Sequence, residues 1–288
     1  MDMNPKSFVP SLGRGLTLLE ILVKSRAGLS LSQATRQLNL PKSSVHCLLR
    51  TLEAAGYVYK DTSCGKYRVS LSICDMARQA LQGISLRDQA RPALRKLVAR
   101  THMTVHLAVL EQRSCVLIEK VTPPGAARTA TWIGKQLALH CTAVGKALLA
   151  HLPEAEVDQL ISEQGLIRYN DNTIASVRQL KQELDVIRSR GYSLDDEEEE
   201  IGVRCVGAPI LSPGKEAIAA LSIVGETSRI SAESLPSLCR SVVETANLVS
   251  EQMRDVQLEA GVSLPERTAS AHWLRNDSGF VCAPATPQ

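Results

Sequence analysis

The sequence predicts an α+β fold in two domains, a small helical head with a two-stranded hairpin and a larger body built on an antiparallel sheet. Three observations predict it. The chain of 288 residues is long enough for two ordinary domains. Its basic charge is gathered at one end. Its hydrophobic spacing passes from three helical repeats to a hairpin and then to mixed strands and helices. A composition of 44% hydrophobic and 22% charged residues with net charge +3 excludes bulk disorder. No apolar run is long enough to span a membrane and the first ten residues lack a signal-type apolar stretch, so the expected location is cytoplasmic. Aromatic residues at 3% leave little for platforms that stack single-stranded nucleic acid.

Residues 1–10 are expected to form an N-terminal arm and 11–70 the head. Within residues 1–70, ten basic side chains face four acidic ones, whereas the remainder carries a slight acidic excess. Such asymmetry points to a polyanion-binding module joined to a body with another task. Leu12, Leu16, Leu19, Leu22 and Val23 recur at helical spacing and predict a first helix ending near Lys24. Ser30 can cap a second helix to about Leu38. Pro41 suits the first position of a third, which Gly56 stops. Tyr57–Lys60 and Lys66–Val69 read as strands around a turn at 61–65. Helix, helix-turn-helix and two-stranded wing is the order of a winged helix-turn-helix domain.

In the third helix, Val45, Leu48, Leu49 and Leu52 form one stripe at 100° per residue. Ser43, Cys47 and Arg50 lie opposite, flanked by Ser44 and His46, and these small or hydrogen-bonding residues suit approach to base edges. Arg50 is the natural donor to guanine or phosphate. Lys42 at the helix start, and Lys60 and Lys66 on the wing, suit backbone phosphates. The alternative is a solvated helix face.

Leu71, Ile73, Met76, Ala77, Ala80 and Leu81 predict a linker helix over 71–84, broken at Gly83, before a further helix from about Ser85 to Arg100. In the body (85–256), Val105–Leu110, Cys115–Val121, Val203–Leu211 and Ala217–Val224 read as strands. Thr142 can cap a helix to about His151, Pro153 opens the next, Ser176–Arg190 is helical to Gly191, and a last helix runs from Ser231 to about Asp255. The body is expected to set its helices to one side of the sheet. Residues 257–288 lack periodicity and are expected to be a disordered tail.

Residues 11–70, with SLGRGLTLLEIL and LSLSQATRQLNLPKSSVHCLLRTLEAAGYVYKD, resemble the DNA-binding domain of IclR-family transcriptional regulators. LHCTAVGKALLAHLP (139–153) and GYSLDDEEEEIGVRCVGAPI (191–210) are similar to that family's two effector-domain motifs, in the same order. The resemblance implies a GAF-like effector-binding body, a linker that helps pair two heads, and a homodimer or homotetramer on a palindromic operator in double-stranded DNA. It implies repression, or activation with contacts to RNA polymerase. It implies no cofactor and no catalytic residue, only a small organic acid effector, a carboxylate of catabolic origin.

By position, the family's ligand contacts fall on Ala143, Val144, Asp195, Cys205, Ser222 and Val224. Some members carry Gly-Ala where Ala143-Val144 stands and Ser where Val224 stands, so a narrower, more apolar cavity is expected at these points. Trp132, Ile133, Leu137, Val203 and Ile223 are candidate apolar walls, and the alternative for each residue is ordinary core. The acidic run 195–200 lacks calcium-loop spacing and is read as a solvated loop apart from Asp195.

Eight cysteines contain no C-x-x-C pair, and most are expected to be buried small hydrophobes. The phosphate-loop, G-x-S-x-G and H-E-x-x-H patterns are all unmet, which removes the commonest enzyme readings. A metal- or redox-sensing regulator is the remaining alternative, with Cys205, Asp195 and His140 converging on a metal or Cys47 open to oxidation.

Overall fold

In the computed structural model, residues 9–82, 85–126, 129–260, 273–276 and 279–282 are described. The chain divides into two compact units, 1–83 with 267–288, and 84–266.

The first unit begins with α1 (Pro10–Lys24), α2 (Leu31–Leu38) and α3 (Lys42–Ala54), followed by strands β1 (Val58–Asp61) and β2 (Lys66–Val69). Ser30 and Gln33 start α2 with a reciprocal capping box, Gln33 N donating to Ser30 Oγ at 3.3 Å and Ser30 N to Gln33 Oε1 at 2.9 Å. Asn39 ends α2 in the left-handed conformation and frees the chain to turn into α3. The wing pairs antiparallel, Val58 opposite Val69 and Asp61 opposite Lys66. Backbone bonds between Leu29 and Tyr67, at 2.8 and 3.0 Å, tie the α1–α2 loop to the wing. The core closes on Leu18, Leu22, Val45, Leu49, Val58 and Tyr67.

The first helix forms as its spacing predicts, but only part of that apolar stripe meets the core. Leu12, Leu16 and Val23 are exposed, because α2, α3 and the wing meet α1 on the face carrying Leu18 and Leu22. After the wing, α4 (Ser72–Gln82) carries exposed Leu71 and Met76 at and near its start, with Ile73 and Leu81 half-buried.

The second unit holds α5 (Ser85–Thr101), β3 (Thr104–Glu111), β4 (Ser114–Val121), β5 (Gln136–Leu137), α6 (Ala143–Leu149), α7 (Glu154–Gln164), α8 (Val177–Arg190), β6 (Ser193–Asp196), β7 (Val203–Leu211), β8 (Ala217–Glu226) and α9 (Leu235–Ala260). Its sheet runs β5-β4-β3-β8-β7-β6, with every neighbouring pair antiparallel. Strand alternation decides which helix meets which face. Val105, Leu107, Leu221 and Ile223 pack beneath α5 and α9, whereas Ala108, Cys115, Leu117 and Ala220 pack with α6, α7 and α8. The expectation of helices on one side is therefore wrong. Buried strands with apolar residues on both faces require cover on both.

The tail reading also needs correction. α9 reaches Ala260, and β9 (Trp273–Asn276) pairs antiparallel with β10 (Gly279–Cys282). Two β-prone segments flank Asn276-Asp277-Ser278-Gly279, a turn-forming sequence that outweighs the lack of longer periodicity. The rest of 257–288 beyond Ala260 lies outside the described residues.

The seat of α6 positions everything described below. Thr142 caps it, accepting from Gly145 N at 3.1 Å. A Cβ on Gly145 would lie 2.5 Å from the Ala138 carbonyl oxygen, and one on Gly207 would lie 2.9 Å from the Ala143 carbonyl carbon. Ser193 Oγ donates to Ala143 O at 2.6 Å. Backbone rests on backbone here, so neither glycine can gain a methyl group without displacing α6. Gly145→Ala is expected to lower unfolding stability by about 1–3 kcal/mol. Gly214→Ala, where the nearest atom is 3.7 Å from the added carbon, should change it by no more than a few tenths. Urea titration of the two variants checks the contrast.

Candidate functional site

Two regions carry the residues singled out by sequence. On α3, Lys42, Ser43, His46, Cys47 and Arg50 are exposed, Ser44 is half-buried, and Val45 and Leu49 face the core. The helix thus offers solvent a face with small residues at its N-terminal end and a guanidinium about two turns further. Lys60 is exposed on β1, its ammonium 5.7 Å from the Tyr67 ring, and Lys66 is half-buried on β2.

The second region is a cavity of about 900 Å³ in the body, on the α6 side of the sheet. Strand register lays out its floor in two cross-strand rows, of which Asp195, Cys205, Val224, Thr104, Ser222 and His106 line the cavity. One row runs Asp195, Cys205, Val224, Thr104 across β6, β7, β8 and β3. The next runs Gly207, Ser222, His106, Lys120 across β7, β8, β3 and β4. Ala143 and Val144 enter from the start of α6, and Leu137 and Val203 supply apolar wall. Lys146 N to Thr142 O at 2.9 Å is the first helical bond of α6, so the amides of Ala143 and Val144 precede it.

The cavity excludes three of the expected walls. Trp132 is largely exposed and, like Ile133 beside it, lies off the lining, its ring 5.5 Å from the Lys135 ammonium. Ile223 is fully buried on the opposite sheet face, since alternation gives the cavity its neighbours Ser222 and Val224.

The lining is also more polar than expected. Thr104, His106, Thr129, Thr131, Lys135 and Tyr169 belong to it, with Glu199 and Glu200 from the acidic run. Of these, Thr104 and His106 were legible, as polar residues alternating with Val105 and buried Leu107. The loop residues 129–135 carry no periodicity that could have marked them.

Hydrogen bonds fix this loop as a wall. Lys120 Nζ donates to Thr131 O at 2.7 Å and Thr129 O at 3.4 Å, and Lys135 Nζ to Ala130 O at 3.0 Å. The hydroxyls of Thr129 and Thr131 are 2.9 Å apart, and Thr131 Oγ1 lies 3.0 Å from His106 Nε2. Burial, with the Lys120 and Lys135 cations adding to it, lowers the His106 pKa to about 3. The imidazole is neutral at physiological pH. Behind the wall, Glu119 is buried on the other sheet face, ion-paired with Arg87 at 3.2 Å and Arg91 at 3.1 Å, both on α5. Its Oε1 accepts Lys120 N at 2.9 Å.

At the opposite end, the acidic run is not a solvated loop. Lys146 on α6 is 1% exposed and pairs with Glu198, itself buried. A buried ammonium needs a partner, which draws the loop inward. Asn170 Nδ2 and Thr173 Oγ1 donate to Glu198 O at 3.2 and 2.6 Å, and Glu198 N donates to Asp195 Oδ1 at 2.9 Å. Burial pushes the Asp195 carboxyl up to about 7 against the pull of that amide bond. Burial, then the Asp195 and Glu199 carboxylates, push the Cys205 thiol well above its usual range.

These facts bear on the metal and redox readings. His140 Nε2 lies 2.9 Å from Ile167 O and its ring stacks on Tyr169, so it does not join Cys205 and Asp195. Among the described residues, no group of three or more His, Cys, Asp or Glu is arranged to hold a metal. No described helix is long and apolar enough to cross a membrane.

Comparison with known proteins gives matches over both units. The family model described as IclR helix-turn-helix domain matches residues 11–62, and that described as Bacterial transcriptional regulator IclR C-terminal matches 78–251. The HTH-type transcriptional regulator XynR of Escherichia coli (strain K12) is 36% identical over 222 residues, covering 77% of this chain and 88% of the relative. The transcriptional repressor IclR of the same strain is 35% identical over 244 residues, covering 84% and 89%. The crystal structure of Thermotoga maritima IclR superposes with a TM-score of 0.72 at 30% identity, covering 85% of this chain and 98% of that one.

The raised Asp195 pKa makes a pH prediction. An acid that holds its proton more tightly when folded gives stability that is lost as pH climbs from about 4 to about 7. Asp195→Asn should therefore flatten the stability profile between pH 5 and 8. At pH 8 it should be more stable than wild type by up to about 4 kcal/mol. Urea midpoints at both pH values decide this, and parallel profiles for the two proteins would contradict it.

Proposed function

The chain belongs to the IclR family of bacterial transcriptional regulators, and from that premise we propose that it binds a palindromic operator as a symmetric homo-oligomer, under control of a small organic acid held in the cavity. Support for the DNA half lies in the exposed polar face of α3, whose apolar stripe is spent on the core. Ser43, Ser44, His46 and Cys47 let the helix approach base edges, Arg50 donates to a base or phosphate, and Lys42, Lys60 and Lys66 contact phosphates. One head offers few contacts, so two are used, with half-sites one helical turn or a multiple apart. The protein acts in the cytoplasm. Occupying the operator represses; contact with RNA polymerase is required only where it activates.

The single observation carrying the effector half is convergence. Leu137, Ala143, Val144, Asp195, Val203, Cys205, Ser222 and Val224 come from five elements and line one cavity. The effector's carboxylate is received at the Ala143 and Val144 amides, with the Asp195 carboxyl, its pKa raised by burial, as a further polar partner, and Ser222 lines the cavity on β8. Val144, Val203 and Val224 favour a hydrophobic or aromatic portion. An IclR homolog from Microbacterium hydrocarbonoxydans, 23% identical and sharing the fold with a TM-score of 0.73, is complexed with 4-hydroxybenzoate. That complex makes aromatic acids a first class to test. Binding acts on DNA affinity through its differential affinity for two arrangements of the heads. Lys120, which holds the cavity wall, is adjacent to Glu119, which grips α5 beside the linker.

Two outcomes are expected. Arg50→Ala weakens specific binding to a duplex from the gene's own upstream region by about 1–3 kcal/mol, read by fluorescence anisotropy at moderate salt. An unchanged affinity removes Arg50 from the interface. In calorimetric titrations, aromatic and aliphatic monocarboxylates bind more tightly than sugar acids, and the reverse order overturns the apolar-portion assignment.

A further inference from the structure

The end of the cavity farthest from Asp195 is built as carefully as the end assigned above. His106 is 4% exposed, lines the cavity and sits directly opposite Ser222 in the β3–β8 register. Its Nε2 is held by Thr131 Oγ1 at 3.0 Å, and Thr131 is held in turn by Lys120. Nδ1 has no partner among the described residues. A ring held through one nitrogen on the wall of a cavity leaves the other nitrogen to a ligand, as donor or acceptor.

We propose that His106, with Ser222 beside it and Thr131 behind it, is a second recognition post that selects effectors carrying a hydroxyl or carbonyl group remote from the carboxylate. The proposal rests on the organic-acid reading and deepens it. Three features define the ligand class. The ring is neutral, held so by burial and two nearby lysines, so it offers one acceptor or one donor and no charge. Lys120 and Lys135 do not stand free to receive a second carboxylate, since their ammonium groups donate to the carbonyls of Thr129, Ala130 and Thr131. The post is also distant from the carboxylate end. Ala143 lies against Gly207 on β7, and His106 is two strands away on β3. Two strand spacings are about 10 Å. Even with a hydrogen bond allowed at each end, a two-carbon acid is too short to reach both.

A site built to hydrogen-bond a ligand hydroxyl discriminates strongly against an analogue lacking it, because its own buried polar group is then left unpaired. The experiment compares parent and hydroxylated acids, benzoate with 4-hydroxybenzoate and hexanoate with 6-hydroxyhexanoate, by calorimetry on the full-length protein. Wild type is expected to bind the hydroxylated member of at least one pair tenfold or more tightly than its parent. His106→Leu should abolish that ratio while leaving the parent acid's affinity within about twofold, and His106→Gln should restore part of it. Both variants should still bind upstream DNA like wild type without acid, which separates loss of the post from loss of the fold. Should parents and hydroxylated acids bind equally to wild type, or should His106→Leu keep the full preference, the post is wrong and the acid-binding cavity stands. Should none of the four acids bind, the acid reading fails and takes the post with it. Tighter binding of adipate than of 6-hydroxyhexanoate would overturn the assignment to uncharged groups.

Discussion

A single buried lysine organises the effector domain. Lys146 lies on a short helix whose every residue is buried, and its ammonium has to meet an anion inside the protein. Glu198 meets it, and the peptide amide of Glu198 then binds Asp195. The same helix can seat this low only because Gly145 and Gly207 lack side chains. The depth of α6, the inward fold of the acidic loop and the placement of Asp195 are one constraint seen from three sides. Removing either partner of such a pair leaves an uncompensated buried charge, typically a loss of about 3–5 kcal/mol, which is why the arrangement tolerates little variation.

The cavity beside this seat has two chemically different ends. One carries the first amides of α6 with a carboxyl group whose pKa burial raises to about 7. The other carries a neutral imidazole backed by threonine hydroxyls and lysine-bound carbonyls. Valine and leucine side chains lie between. Glu119 is next to Lys120 but points through the sheet to Arg87 and Arg91, so the wall of the cavity and the first turns of α5 are held by consecutive residues. α5 follows the linker helix in sequence.

Much of this was legible in the sequence, for identifiable reasons. The third helix separates into Val45, Leu49 and Leu52 against Ser43, Cys47 and Arg50 because a two-sided helix leaves its period in the sequence. Strand alternation around Ser222 and Val224 told which residues share a face, and also shows why Ile223 belongs to the other. The acidic run misled because six consecutive carboxylates ordinarily seek water. The counter-signal was Lys146 itself, the sole charge within AVGKALL. Trp132 misled in the opposite way, since a large aromatic on a loop can be held outside by a neighbouring cation. Exposed Leu12, Leu16 and Val23 show the limit of periodicity, which marks an apolar face without saying what covers it.

The account's central claim is that the cavity and the DNA-binding face are thermodynamically coupled. Such coupling is reciprocal, so an acid that changes operator affinity by some factor must have its own affinity changed by the same factor when operator is bound. The most direct measurement is calorimetric titration of one acid into the full-length protein, free and saturated with its upstream duplex, beside DNA-binding isotherms with and without that acid. The account predicts equal factors, in the range of roughly 5–150 typical of such coupling. An acid that binds in the cavity with the same affinity in both states, and leaves the DNA isotherm where it was, would contradict it.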